Sequence, residues 1–131
     1  MHTSKRQIVD THAAPKAVGT YSQGVIHQGV HYFSGQIGLD PRTGELAMSF
    51  EEQLQQILRN VDGLLESCKL KRDDILKTTI FLTDLKDFAS VNRAYEEFFT
   101  RPYPARSTIQ VSALPKGALV EIEVIAAKNV L

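Results

Sequence analysis

Residues 75–84 read ILKTTIFLTD. Apolar and β-branched residues fall on both sides of the alternation, the pattern of a strand inside a sheet rather than at its rim. An amphipathic helix flanks it on each side. Upstream, Ser49 and Glu52 form a capping box. Beyond them Phe50, Leu54, Ile57, Leu58, Val61, Leu64, Leu65 and Cys68 recur at helical spacing as one apolar stripe. Downstream, Asp87 is placed to cap a second helix. Its stripe is Phe88, Val91, Tyr95, Phe98 and Phe99, and Pro102 stops it.

Further out, strand patterns lie on both flanks. RQIV (6–9) is a candidate short strand. YSQGVIH (21–27) and VHYFSGQIG (30–38) are strand-like, and the QG between them suggests a hairpin turn. HAAPKAVGTY is a loop, and DPRTGE (40–45) is a turn in which Gly44 permits a positive φ. Two strands close the chain, near 106–112 and 119–127. The order β-β-β-α-β-α-β-β predicts an α+β fold, a mixed sheet with both helices on one face. The other face is then uncovered, with Phe33, Ile37 and the apolar half of 119–127 expected on it. An apolar sheet face in water is a sticky patch, so other copies of the chain are expected to cover it.

The composition agrees with a single domain over 1–131. The chain has 131 residues, 43% hydrophobic and 23% charged, enough to bury a core. Fifteen basic and fifteen acidic residues give zero formal net charge. No general field draws such a chain onto nucleic acid, and little charge keeps copies apart. Cys68 is the only cysteine, which suits a reducing compartment. MHTSKRQIVD lacks the apolar run of a secretory signal, and no stretch has the length of a membrane span. A cytoplasmic location is expected.

The chemistry-bearing residues stand out against this frame. In LVEIEVIA (119–126), alternation puts Glu121 and Glu123 on one face and Val120, Ile122 and Val124 on the other. The glutamates mark either a solvated face or a site where one of them meets Arg106. The last two strands are joined by ALPKGA, which suggests that the pair is close. Arg106 enters its strand after Pro104 and Ala105, beside Ser107. A guanidinium in such a roomy setting suits a carboxylate gripped by two parallel hydrogen bonds. Ser34 and Gly35 interrupt a strand, and the glycine lets a ligand approach the backbone. Asn92 falls on the apolar face of its helix, either as a buried amide or as part of a site. Tyr21 is either a core aromatic with one wet edge or a site residue. Other chemistries find no support. His2, His12, His27 and His31 lack metal spacing, and no Cys-x-x-Cys or phosphate-binding glycine loop occurs. Nothing places a histidine base beside Ser34 or Ser107. Cys68, at the end of the first helix on its apolar face, reads as a buried small hydrophobe.

Several segments together resemble the Rid family, the YjgF-like proteins also labelled L-PSP endoribonucleases. They are GTYSQG (19–24), SGQIGLDPRTGEL (34–46), KTTIFLTDLKDFASVNRAYEEFF (77–99), YPARS (103–107) and ALPKGALVEIEVIA (113–126). The resemblance spans almost the whole chain, with its motifs in the family's order. It implies a chorismate-mutase-like fold and a homotrimer with active sites in clefts between subunits. It also implies hydrolysis of 2-imino acids, such as 2-iminobutanoate and 2-iminopropanoate, to 2-keto acids and ammonia, with no cofactor and no metal. By the same resemblance Arg106 binds the substrate carboxylate and Glu121 handles the water. Tyr21, Ser34, Gly35, Asn92 and Thr108 fall on positions lining the cleft. Position 108 is cysteine in some members, so the threonine here disfavours any scheme that needs a thiol there. Two rivals remain: a ribonuclease or translation inhibitor, and a non-enzymatic chaperone or ligand-binding trimer. The neutral charge disfavours the first. The retained Arg106 and Glu121 disfavour the second, since a pure binder has no need of the carboxylate.

Overall fold

The computed structural model describes residues 5–128; His2 lies outside them. The elements are β1 (Gln7–Val9), β2 (Gly24–His27), β3 (Val30–Gln36), α1 (Phe50–Ser67), β4 (Ile75–Leu82), α2 (Phe88–Phe98), β5 (Ala105–Gln110) and β6 (Val120–Ala127). The expected order of strands and helices holds. Gln28 and Gly29, with φ of 50° and 82°, make the tight turn between β2 and β3. The capping box forms at α1: the Glu52 amide donates to Ser49 Oγ at 3.1 Å, and the Ser49 amide donates to Glu52 Oε1 at 3.2 Å. At α2 the expected cap fails. The Asp87 side chain makes no capping bond, while Asp84, one short turn earlier, accepts from the Lys86 amide at 2.9 Å. A turn of 3₁₀ helix over Leu85–Asp87 shifts the capping task back to Asp84.

The six strands form one sheet in the order β1-β2-β3-β6-β4-β5, antiparallel throughout except for the parallel pair β4–β5. α2 is the crossover that parallel pairing requires, and it delivers β5 to the sheet edge. The chain then returns past β4 to insert β6 between β3 and β4. The last two strands are therefore not neighbours, contrary to the reading of ALPKGA as a short link.

Register assigns the faces. Phe33 pairs with Val124, Thr78 with Val124 and Ile80 with Ile122, and all five are buried beneath α1 and α2. The apolar half of β6 (Val120, Ile122, Val124, Ala126) thus faces the helices, and Phe33 is only 5% exposed. Both were expected on the uncovered face. The helices bury apolar stripes and claim the more apolar side of each strand. A bulge between Phe33 and Gln36 then resets the alternation before Ile37. The uncovered face holds Ile8, Val25, Tyr32, Phe81, Ile109 and Ile125 among Thr79, Ser107, Glu121 and Glu123. The patch is apolar but interrupted: Ile8, Tyr32 and Ile109 are about half exposed, and the glutamates lie among them.

Two buried polar side chains brace the α1 side. Gln53 accepts from the Leu119 amide at 2.8 Å and donates to the Ala47 carbonyl at 3.0 Å. Asn60 donates to the Leu39 carbonyl at 2.9 Å. Each satisfies backbone groups that a loop would otherwise leave unpaired. Among the described residues no helix is long and apolar enough to cross a membrane.

Candidate active site

The residues singled out in the sequence fall into two clusters. The first begins with a loop whose shape is set by Gln23. Its amide donates to the carbonyls of Thr11 and Pro15, both at 2.9 Å, and its oxygen accepts from the Thr11 amide at 2.7 Å. One buried side chain thereby pins residues 11–15 against β2. Ser34 ties the same segment from the other side, its hydroxyl donating to the Ser22 carbonyl at 2.6 Å. The Ser34 proton is thus committed to holding the Tyr21 loop, and only the oxygen lone pairs remain for a ligand. Tyr21 is 55% exposed and stands at the rim of a cavity of about 590 Å³. Ser34, Gly35, Ile37, Glu121 and Glu123 line that cavity as well.

Glu121 is the half-buried carboxylate of this cluster, and Glu123 is exposed. Burial, and secondarily the charge of Glu123, hold the Glu121 carboxyl above its ordinary pKa. A carboxyl shifted toward neutrality suits proton transfer near neutral pH. Gly35 lies directly over it, and a Cβ built at position 35 overlaps Glu121 Oε2. The glycine therefore makes room for this carboxylate. Gly35→Ala is expected to fold, because the obstructing group is the end of a flexible side chain. The displaced carboxylate should cost about tenfold to a hundredfold in turnover of a substrate that depends on it. Circular dichroism beside an imine-hydrolysis assay checks both parts.

The second cluster lies on the other face of the sheet. Arg106 pairs with Thr78 across β4–β5, so it points toward the helices. A cavity of about 300 Å³ is lined by Asn92, Tyr95, Glu96, Arg101, Tyr103 and Arg106. Arg72 shows what a structural arginine does in this molecule: it grips Asp62 with two hydrogen bonds, at 2.9 and 2.7 Å, and stacks on Phe98 at 3.8 Å. The Arg106 guanidinium has no ion pair and no hydrogen bond among the described residues. It lies over two rings instead, Phe88 and Tyr95, each centroid 5.1 Å away. A half-buried cation without an acceptor is free to pair with an external anion. Thr108, two residues on along the same face, lines neither cavity, and its buried Oγ1 has no hydrogen-bond partner among the described residues.

Arg106 and Glu121 do not meet within one chain. Glu121 pairs with Phe81 and Arg106 with Thr78, so they lie two strands and three residues apart, about 14 Å along the sheet. They also project from opposite faces. The sequence reading found both residues but not their separation. It also missed Tyr95, Glu96, Arg101 and Tyr103 as cavity walls. The spacing of Phe88, Asn92 and Tyr95 along one side of α2 was the available signal. No group of three or more His, Cys, Asp or Glu side chains able to hold a metal occurs among the described residues.

The chain is thus an α+β domain with one uncovered sheet face and two dissimilar cavities, one holding Arg101 and Arg106 with Glu96, the other Glu121 and Glu123 with Lys16 and Lys116. Residues 11–128 match the family model described as Endoribonuclease L-PSP, and the chain belongs to this family, the Rid or YjgF-like proteins. The 2-iminobutanoate/2-iminopropanoate deaminase of Salmonella typhimurium is 46% identical, over 92% of this chain and 97% of its own. The crystal structure of RidA from an Antarctic Psychrobacter superposes with a TM-score of 0.90 at 45% identity, covering 92% of this chain and 98% of that one. The Escherichia coli TdcF structure with bound serine superposes with a TM-score of 0.88 at 41% identity, covering 94% and 99%.

Proposed function

We propose that this protein is a 2-iminobutanoate/2-iminopropanoate deaminase, hydrolysing small 2-imino acids to 2-keto acids and ammonia. The observation that carries the reading is the unpaired Arg106 guanidinium in its cavity, a ready grip for the α-carboxylate that every 2-imino acid has. Support comes from the relatives of that name and from the bound amino acid in the TdcF structure.

The chemistry asks little of the protein. A protonated imine is already electrophilic at carbon. Glu121, as carboxylate, takes a proton from water while the water oxygen bonds to that carbon, giving a carbinolamine. The protonated Glu121 then returns the proton to nitrogen, and as the C–N bond breaks the Glu121 carboxylate takes the hydroxyl proton, so that the keto group forms; the departing ammonia carries that last proton away as ammonium. One carboxyl whose pKa is raised toward neutrality can serve both steps. Holding the substrate beside it supplies proximity.

The two clusters must come together for this. Since they lie on opposite faces of one sheet, the reading places Glu121 of one subunit against Arg106 of the next, around a homotrimer. Packing of the uncovered sheet faces would form its centre. The chain is then one Rid-type domain over 1–131, acting on small molecules in the cytoplasm. The coupled assay is direct: threonine dehydratase releases 2-iminobutanoate, and semicarbazide competes to trap it. Adding the protein should lower semicarbazone formation in proportion to its concentration. An unchanged yield at micromolar protein would remove the deaminase reading.

A further inference from the structure

A two-point grip on a carboxylate requires the guanidinium plane to be fixed. The Arg106 guanidinium has no hydrogen bond among the described residues to fix it, which leaves the two rings over it as the restraint. Phe88 opens α2, and Tyr95 follows seven residues later on the same side of that helix. Tyr95 is immobile. It is 5% exposed, its hydroxyl donates to Thr78 Oγ1 at 2.6 Å, and its ring tilts against Phe99 at 5.0 Å. Thr78 is buried and is also the residue paired with Arg106 across β4–β5. Tyr95 and Arg106 are therefore registered to one point of the sheet. Phe88 is 42% exposed, so core burial does not account for it. Its contact with Arg106 does.

We infer that Phe88 and Tyr95 form an aromatic bracket that positions the Arg106 guanidinium for the substrate carboxylate, with Thr78 locking Tyr95 and Phe88 acting as the adjustable jaw. The inference rests on the reading of Arg106 as the carboxylate clamp. The physical advantage over an acidic partner is specific. A ring face attracts the cation through its quadrupole but takes up none of its N–H donors and cancels none of its charge. A carboxylate in the same place would orient the arginine and also occupy it, as Asp62 does with Arg72. The burial of Tyr95 serves the same end: it pushes the phenol up to about 12, against the lowering effects of the Thr78 hydrogen bond and the Arg106 charge, and keeps a neutral ring beside the cation.

The test measures pyruvate binding by calorimetry and imine hydrolysis for wild type, Phe88→Leu, Phe88→Tyr and Arg106→Ala. Light scattering and circular dichroism are followed on each. Phe88→Leu keeps an apolar side chain but no ring face. It should weaken pyruvate binding about three- to thirtyfold, with the loss in hydrolysis falling on KM more than on kcat. Phe88→Tyr should stay within about twofold of wild type, and Arg106→Ala should bind no pyruvate. If Phe88→Leu binds like wild type while Arg106→Ala does not, the bracket is wrong and the clamp stands. If Arg106→Ala binds pyruvate normally, the clamp itself is wrong and the bracket goes with it. If Phe88→Tyr is as weak as Phe88→Leu, or Phe88→Leu changes the assembly state, Phe88 is a packing residue and the inference is overturned.

Discussion

Glu121→Gln is expected to lower kcat for imine hydrolysis by roughly 10²–10⁴-fold while leaving pyruvate binding close to wild type. The amide keeps the size and hydrogen-bonding reach of the carboxylate but cannot take a proton from water. Glu123→Gln should change kcat little, because Glu123 is exposed and serves Glu121 only through its charge. Removing that charge should lower the pKa of Glu121 and move the acidic limb of the pH–rate profile to lower pH. The same substitution at Glu121 has an opposite effect on stability. The folded state holds the Glu121 proton more tightly than the unfolded chain does, so ionised Glu121 opposes folding. That cost is present above the raised folded-state pKa and vanishes below the ordinary carboxylate range. Glu121→Gln should therefore raise Tm at neutral pH, and the gain should close as pH falls through that window. A mutant that is more stable and inactive identifies a carboxylate kept for chemistry. Loss of turnover in Glu123→Gln with full activity in Glu121→Gln would reverse the assignment.

Arg106→Lys should cost about tenfold to a hundredfold in kcat/KM although the charge is kept. An ammonium is a point charge on a flexible stem and cannot offer two parallel donors to a carboxylate. It also loses the guanidinium's contact with the Phe88 and Tyr95 rings. Because no carboxylate in the described part of the chain leans on Arg106, thermal stability should barely change. Loss of function without loss of stability separates a binding arginine from one like Arg72, whose replacement would leave Asp62 unpaired. Pyruvate affinity by calorimetry and Tm by circular dichroism give the two readouts. Wild-type pyruvate affinity in the lysine variant would show that the carboxylate binds elsewhere.

Much of the fold was legible because helix and strand periodicities are local. The stripe from Phe50 to Cys68, the Ser49–Glu52 box and the QG turn each lie within a few residues, and each formed as read. Strand order is not local. Nothing in ALPKGA says that the chain must pass β4 before β6 pairs with β3. The faces of β3 were misread for a similar reason: one bulge after Phe33 resets the alternation, and a bulge has no reliable mark beyond the Ser34–Gly35 break. The residue types of the candidate site were legible because an arginine among small neighbours and glutamates in an apolar strand are chemically conspicuous. Their division between opposite faces was not, since it follows from the strand order. The commitment of Ser34 to Ser22 spans twelve residues and appears only once β2 and β3 are paired.

The central claim is that a working site is assembled from two copies of the chain. Mixing inactive subunits tests it most directly. Arg106→Ala retains the Glu121 half, and Glu121→Gln retains the Arg106 half. The two proteins are denatured together in equal amounts, refolded, and shown by differently sized tags to form mixed assemblies. With random mixing and one residue drawn from each side of every interface, about one quarter of the sites regain both halves. The account predicts imine hydrolysis at about that fraction of wild type, from two proteins that are each inactive alone. Mixed assemblies that stay as inactive as their parents would contradict it.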